Sequence, residues 1–332
     1  MKAKNLFKLM AILVAVIGIS IAGCKKDKTT TPTTTTPDPS SLQQLANDDN
    51  QVTASDNEMT NDANGVLSSS KVNSVRSRVQ GMDTMAPPAN CTITIDTVGS
   101  NQVITLVYNG LNTTGTFSKT GTVIITKALG VKWSTQNASV TIQFVNLTIT
   151  KVSSGKSFIY NGTRTWTNIS GGLIVNLGST SVPTTSVTHQ ITGNMSITFD
   201  NGTQRTWTVN RQRVWTGTFP TALVLSASGF GSSNGYNNCT EYGTNRNGEL
   251  FYTQVNPSTP VVFSEACLWV PISGVLVHSI PSTPKSGTIT YGYVYNSNNN
   301  SFTLATSGTC ADAYQLAWTW KTYSGTLFGV IL

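Results

Sequence analysis

Two hydrophobic periods divide the chain. Between residues 41 and 69, Leu45, Val52, Met59 and Val66 recur every seven residues, with Leu42, Ala46, Ala63 and Leu67 beside them. That spacing keeps apolar groups on one helical face and predicts an amphipathic helix over 41–69. Asp49 and Asp56 fall near the stripe, a conflict that packing has to resolve. From residue 89 to 332 the period drops to two. In the run Ile191–Phe199 the odd positions are Ile191, Gly193, Met195, Ile197 and Phe199, and the even ones are polar, as in a half-buried strand. Asn-Gly pairs at Asn109, Asn161, Asn201, Asn234 and Asn247 tolerate positive φ and predict hairpins. The expected body is all-β: an antiparallel meander forming a large curved sheet or a two-sheet sandwich, with one N-terminal amphipathic helix. It is one domain, 89–332, or two parts, 89–218 and 219–332. A lone amphipathic helix is marginal without packing, so capping a face or end of the sheet is favoured over docking a separate partner.

Ahead of the helix the pattern changes twice. Lys2, Lys4 and Lys8 precede an apolar run from Leu9 to Ala22, too short to span a bilayer and suited to a signal peptide over 1–23. It ends in Ile21-Ala22-Gly23-Cys24, small residues before a cysteine whose thiol can carry diacylglycerol. Residues 24–40, containing the Thr- and Pro-rich stretch from Thr29, cannot form a core and read as an extended linker. The expected product is an outer-membrane lipoprotein held by acyl chains on Cys24, facing the periplasm or the cell surface.

Charge and chemistry narrow the function mainly by exclusion. Asp48, Asp49, Asp56, Glu58 and Asp62 lie between residues 40 and 64 with no base among them, while the chain from residue 65 carries 15 bases against seven acids. Those bases are scattered, whereas nucleic-acid binders gather theirs on one face, so no nucleic-acid partner is expected. His189 and His278 sit in no catalytic motif, and nucleophile elbows, metalloprotease helices and phosphate loops are missing. No metal, cofactor or catalytic residue is assigned. Besides Cys24 there are Cys91, Cys239, Cys267 and Cys310, an even number that suggests two disulfides with three possible connectivities.

The motif Arg-x-Trp occurs three times: Arg164/Trp166, Arg205/Trp207 and Arg213/Trp215. Residues two apart on a strand share a face, so each guanidinium can lie against its indole. These six residues are the candidate ligand face, suited to a glycan or peptide. The competing reading, which is favoured, buries the indoles and sends the Arg heads to solvent. Burial decides the turn at Asn201 in the same way. A three-residue loop, Asp200–Gly202, sets Trp207 opposite Met195 on the apolar face, and that gain exceeds the benefit of an ideal two-residue turn.

Several segments resemble a family of Bacteroidota lipoproteins: Cys91-Thr-Ile-Thr-Ile-Asp96, Lys119-Thr-Gly-Thr-Val-Ile-Ile125, Asn161-Gly-Thr-Arg-Thr-Trp166, Asp200-Asn-Gly202, Gly243-Thr-Asn-Arg-Asn-Gly248, Ser273-Gly-Val275 and Gly308-Thr-Cys310. The resemblance covers most of residues 91–332 and brings no catalytic residues. It repeats both Cys267 and Cys310 and so implies that they pair. Members carry a second cysteine soon after the one matching Cys91; here Tyr108-Asn-Gly-Leu-Asn112 stands in its place, which leaves Cys239 as the partner expected for Cys91. The functional expectation is a non-catalytic, membrane-anchored lipoprotein with a binding or structural role toward glycan or protein. The alternative is a carrier of hydrophobic ligand, with the helix as lid over a curved sheet.

Replacing the lipid-bearing thiol tests the anchor. Cys24→Ser should leave the protein out of the membrane fraction and without labelled palmitate; a variant that still incorporates palmitate removes the lipoprotein reading.

Overall fold

The computed structural model describes residues 38–69, 72 and 88–331. The leader, Cys24 and the linker as far as residue 37 lie outside the described residues. The helix α1 runs Ser40–Ser68, within one residue of the span that the seven-residue period predicts. Among the described residues, seventeen strands and two single-turn 3-10 helices, Ile174–Asn176 and Glu265–Cys267, follow it.

The strands are β1 Cys91–Val98, β2 Asn101–Leu111, β3 Phe117–Ala128, β4 Ala138–Lys151, β5 Ser157–Asn168, β6 Ser186–Phe199, β7 Gln204–Thr218 and β8 Ala222–Gly229, then β9 Gly231–Ser233, β10 Tyr236–Thr244, β11 Leu250–Gln254, β12 Val261–Ser264, β13 Pro271–Ile280, β14 Lys285–Asn296, β15 Ser301–Leu304, β16 Ala313–Trp320 and β17 Tyr323–Val330. They form one antiparallel sheet, and its first eight strands are a plain meander. At β7 the sheet forks. Thr206–Val209 pairs with β10, while Arg211–Thr218 pairs with β8. The two branches rejoin at β13, through β11 at Val277–Ser279 and through β12 at Pro271–Ser273. Beyond it the order is β14, β16 and β17, with β15 a short hairpin partner of β14. The sheet crosses residues 218 and 219 without a break. Among the described residues β1 is paired only with β2 and β17 only with β16, so the sheet is open.

A flat sheet of this width could not touch one helix with most of its strands, since strands lie about 4.8 Å apart and a helix is only about 10–12 Å across. Here α1 is touched by Tyr108 of β2, Lys119 of β3, Tyr160 of β5, Arg213 of β7, Tyr291 of β14 and Tyr314 of β16. The sheet is therefore rolled around α1, which lies inside the curve. The expectation of a helix capping a face or end is corrected on this point: even Asp56, Asn57 and Thr60 are buried.

Backbone irregularities make the roll possible. Asn161-Gly162, read from sequence as a hairpin turn, lies inside β5, where Gly162 has φ +134°. A Cβ there would come within 2.3 Å of the Asn194 carbonyl oxygen. On the next strand Gly193 has φ +151°, and its Cβ would meet the Thr163 oxygen at 2.2 Å. Bulges in β3 and β4 near Gly121 and Asn146 extend this line of kinks. Glycine and an extra residue are the devices that let neighbouring strands crowd and the sheet coil. Asn109-Gly110 likewise lies within β2, whereas Asn201, Asn234 and Asn247 stand at true turns.

The turn at Asn201 is the three-residue loop. The Phe199 N–H donates to the Thr203 oxygen at 2.9 Å, and Met195 is paired with Trp207. Cys267 and Cys310 form a disulfide that closes a loop of 43 residues, worth about 4 kcal/mol on the chain-entropy scale. The second bridge is absent: Cys91 and Cys239 are free thiols, one at the start of edge strand β1 and the other buried on β10. Tyr108 is paired with Cys91 across the strands and turns its hydroxyl to Asp62.

Candidate functional site

The odd positions of β7 from 205 to 215 point inward: Arg205, Trp207, Val209, Arg211, Arg213 and Trp215. Three are arginines on a face that otherwise holds core residues. A guanidinium buried there must find hydrogen-bonded anions or the fold fails. The anions come chiefly from α1.

Asp56, midway along the helix, receives Arg164, Arg211 at 3.0 Å and Arg213 at 2.6 Å. Arg213 also donates to Thr60 and to Asn57, and Arg164 to the Tyr160 hydroxyl. Arg205 reaches Asp49 at 3.4 Å and joins Arg211 on Glu241 of β10. Toward the ends of the helix, Lys119 binds Glu58 at 2.9 Å and Asp62 at 2.7 Å, and Arg246 chelates Asp48. All five acids of the helix are thus paired with bases of the sheet or, for Asp48, of the β10–β11 turn.

Titration follows from this arrangement. Burial pushes the Asp56 carboxyl up, but the three guanidinia outweigh it and hold the group well below the usual carboxylate range. Burial drags Arg213 down to about 10, opposed by Asp56 and reinforced by Arg211 and Arg164. At Lys119, Asp62 and Glu58 outweigh burial and raise the ammonium. His189 lies against the Trp133 ring at 5.0 Å, and burial, aided by Arg213, pulls it down to about 3. Burial and then Arg205 likewise bring His278 to about 3.

The six candidate ligand residues therefore lie together on one side of the sheet, but inside. Trp166, Trp207 and Trp215 are buried, as the favoured sequence reading expects. The arginines depart from it. Arg164, Arg205 and Arg213 are at most 1% exposed, and their heads turn to the helix rather than to solvent. Arg205 does lie over Trp207, at 5.0 Å from the ring. A ligand has no access to this face. The space between α1 and the sheet fork, lined by Asp49, Asn57, Arg211 and Tyr291, is about 20 Å³. That is room for about one water molecule.

The accessible site lies at the rim, in a cleft of about 710 Å³ beside the first three turns of α1. One wall is helical and rich in amides: Gln43, Gln44, Asn47 and Gln51. The other is the β4–β5 connection, with Lys151, Ser153, Ser154 and Lys156; Phe199, Asp200 and Arg246 border the cleft between them. Arg246 stacks on Phe199, 3.5 Å from the ring centre, and holds Asp48 through its Nε at 2.7 Å. The Asn47 carbonyl oxygen accepts the Tyr314 hydroxyl at 2.8 Å, which fixes the helical wall against β16. The amides, serines and lysines of the two walls do not stand out in the sequence, since scattered Gln, Ser and Lys carry no motif; Asp48, Phe199, Asp200 and Arg246 are marked there only by the acidic cluster, the strand pattern, the turn and the resemblance.

Two outcomes follow from the buried charge. Asp56→Asn leaves three guanidinia around a neutral group and should cost about 3–5 kcal/mol in denaturant unfolding at neutral pH, the usual penalty for half of a buried pair; a loss below about 1 kcal/mol would show the pairs to be incidental. The histidines set an acid dependence. Their folded pKa of about 3 lies under the ordinary 6.5, so the unfolded chain binds more protons in that window and stability falls as pH drops from 6.5 toward 3. The slope should reach about 1.4 kcal/mol per pH unit for each histidine. His189→Phe should lower it by one histidine's share, and an unchanged slope would show His189 protonated in the fold.

No family model matches the chain, and no curated protein or solved structure proves similar to it.

Proposed function

We propose that the protein is a non-catalytic, lipid-tethered binding protein of the outer membrane, with the rim cleft as its binding site. The observation that carries this reading is the cleft itself. Its volume falls in the range of small-ligand sites, and its walls present donors and acceptors from two different elements. The anchor rests on the leader and Cys24, and the 14 steps from Cys24 to Asp38 reach at most about 50 Å. A body so tethered meets ligands of the envelope surface.

The acids support a binding role over catalysis. Asp48, Asp49, Asp56 and Glu241 are each buried and engaged with arginine rather than presented to a ligand. Hydroxyls and amides along a cleft suit polar ligands such as glycans or the backbone of a peptide, the classes that the sequence points to.

Filling the cleft tests the assignment. Ser153 is exposed at its edge, so Ser153→Trp should block it without touching the core. On an array of envelope glycans and peptides, the mature protein should bind a subset that the variant loses, with the melting temperature unchanged. A variant that keeps the whole binding pattern would show that the cleft is not the site.

A further inference from the structure

We infer that the cleft takes an anionic saccharide, a hydroxylated ring bearing a carboxylate or a phosphate. This rests on the reading of the cleft as the binding site and adds the ligand's chemistry.

The cations of the cleft are not equally engaged. Arg246 is committed to Asp48 and Phe199. Lys151 and Lys156 bracket the β4–β5 connection, where the Lys151 N–H donates to the Lys156 oxygen at 2.9 Å. That bond holds their two backbones side by side. Among the described residues neither lysine has an acidic partner, whereas Lys119 has two. The contrast appears in their titration: acids raise Lys119, while burial lowers Lys151 with nothing to offset it. Asp200 is the one carboxylate lining the cleft without an arginine partner, and it sits exposed on the β6–β7 turn.

A second donor awaits an acceptor on the opposite wall. Asn50 is 9% exposed and lines the cleft; its carbonyl oxygen accepts the Tyr291 hydroxyl at 2.7 Å, but its NH2 has no partner. An unsatisfied buried donor is costly, so an acceptor oxygen that reaches it would be favoured. Two lysines without an acidic partner and an amide donor without an acceptor, all lining one cleft, call for an anion with further acceptor oxygens. The remaining lining, Gln43, Gln44, Asn47, Gln51, Ser153 and Ser154, both donates and accepts, which matches sugar hydroxyls. Free phosphate or a simple carboxylate would leave most of these groups unused.

The test compares calorimetric binding of a hexuronate tetramer, the matching neutral hexose tetramer and a hexose phosphate to the mature protein. The uronate or the phosphate should bind at least about tenfold more tightly than the neutral sugar, and which of the two does so identifies the anionic group. Lys151→Gln combined with Lys156→Gln should abolish that preference while leaving the melting temperature unchanged. Equal binding of neutral and anionic sugars, or a double variant with the preference intact, overturns the anionic assignment. If neutral binding is then lost in Ser153→Trp, the cleft remains the site; if Ser153→Trp leaves all binding intact, the cleft reading falls as well. Absence of binding by all three sugars overturns the saccharide inference alone, because a peptide on the array could still require the cleft.

Discussion

The contact between the Asp56 carboxylate and Arg164, Arg211 and Arg213 is the constraint on which the rest of the molecule turns. Without the helix, the sheet would bury four arginines against Glu241 alone, a charge imbalance that no packing of indoles could offset. Without the sheet, α1 would expose a stripe of leucine and valine and would be marginal as an isolated helix. Each part supplies what the other lacks. The pairs also set position. Asp62 and Asp56 meet bases of different strands and Asp48 meets Arg246 of the β10–β11 turn, so sliding the helix by one turn, about 5.4 Å, would break every pair at once. Buried pairs of this kind give modest net stability, but they single out one arrangement of helix and sheet.

The helix fills the curve of the sheet. Its acids, asparagines and threonines are buried there, and the space under the sheet fork is about 20 Å³. Amide and hydroxyl side chains instead meet solvent where the first turns of α1 pass the β4–β5 connection. The charges that order the interior also shape that rim, because Asp48 holds Arg246 down on Phe199 at the edge of the cleft.

The sheet can close around so polar a helix because its backbone kinks along a line. Gly162 and Gly193 occupy conformations in which a Cβ would collide with the neighbouring strand, and the bulges near Gly121 and Asn146 continue the bend. Asn-Gly therefore does two jobs in this chain. At Asn201 it turns the chain back, while at Asn161 it bends a strand that runs on. Both uses draw on glycine's tolerance of positive φ, so the dipeptide alone cannot say which one applies.

The sequence by itself determined what depends on local period and on turn chemistry. The span of α1, the all-antiparallel β body, the inward face of β7 and the loop at Asn201 could all be read from spacing, because burial of Leu45, Met195 and Trp207 admits one register each. Tertiary structure alone decided where the charged heads go. Arg205 and Arg213 share the inward face with Trp207, and the five acids stood together in one helix, yet their pairing depends on side chains more than 150 residues apart meeting across a curved sheet. Curvature arises from summed kinks in several strands and has no local signature. The cleft is less legible still, since Gln51, Lys151 and Asp200 become neighbours only once the sheet has rolled, and none of them looks unusual where it stands in the chain.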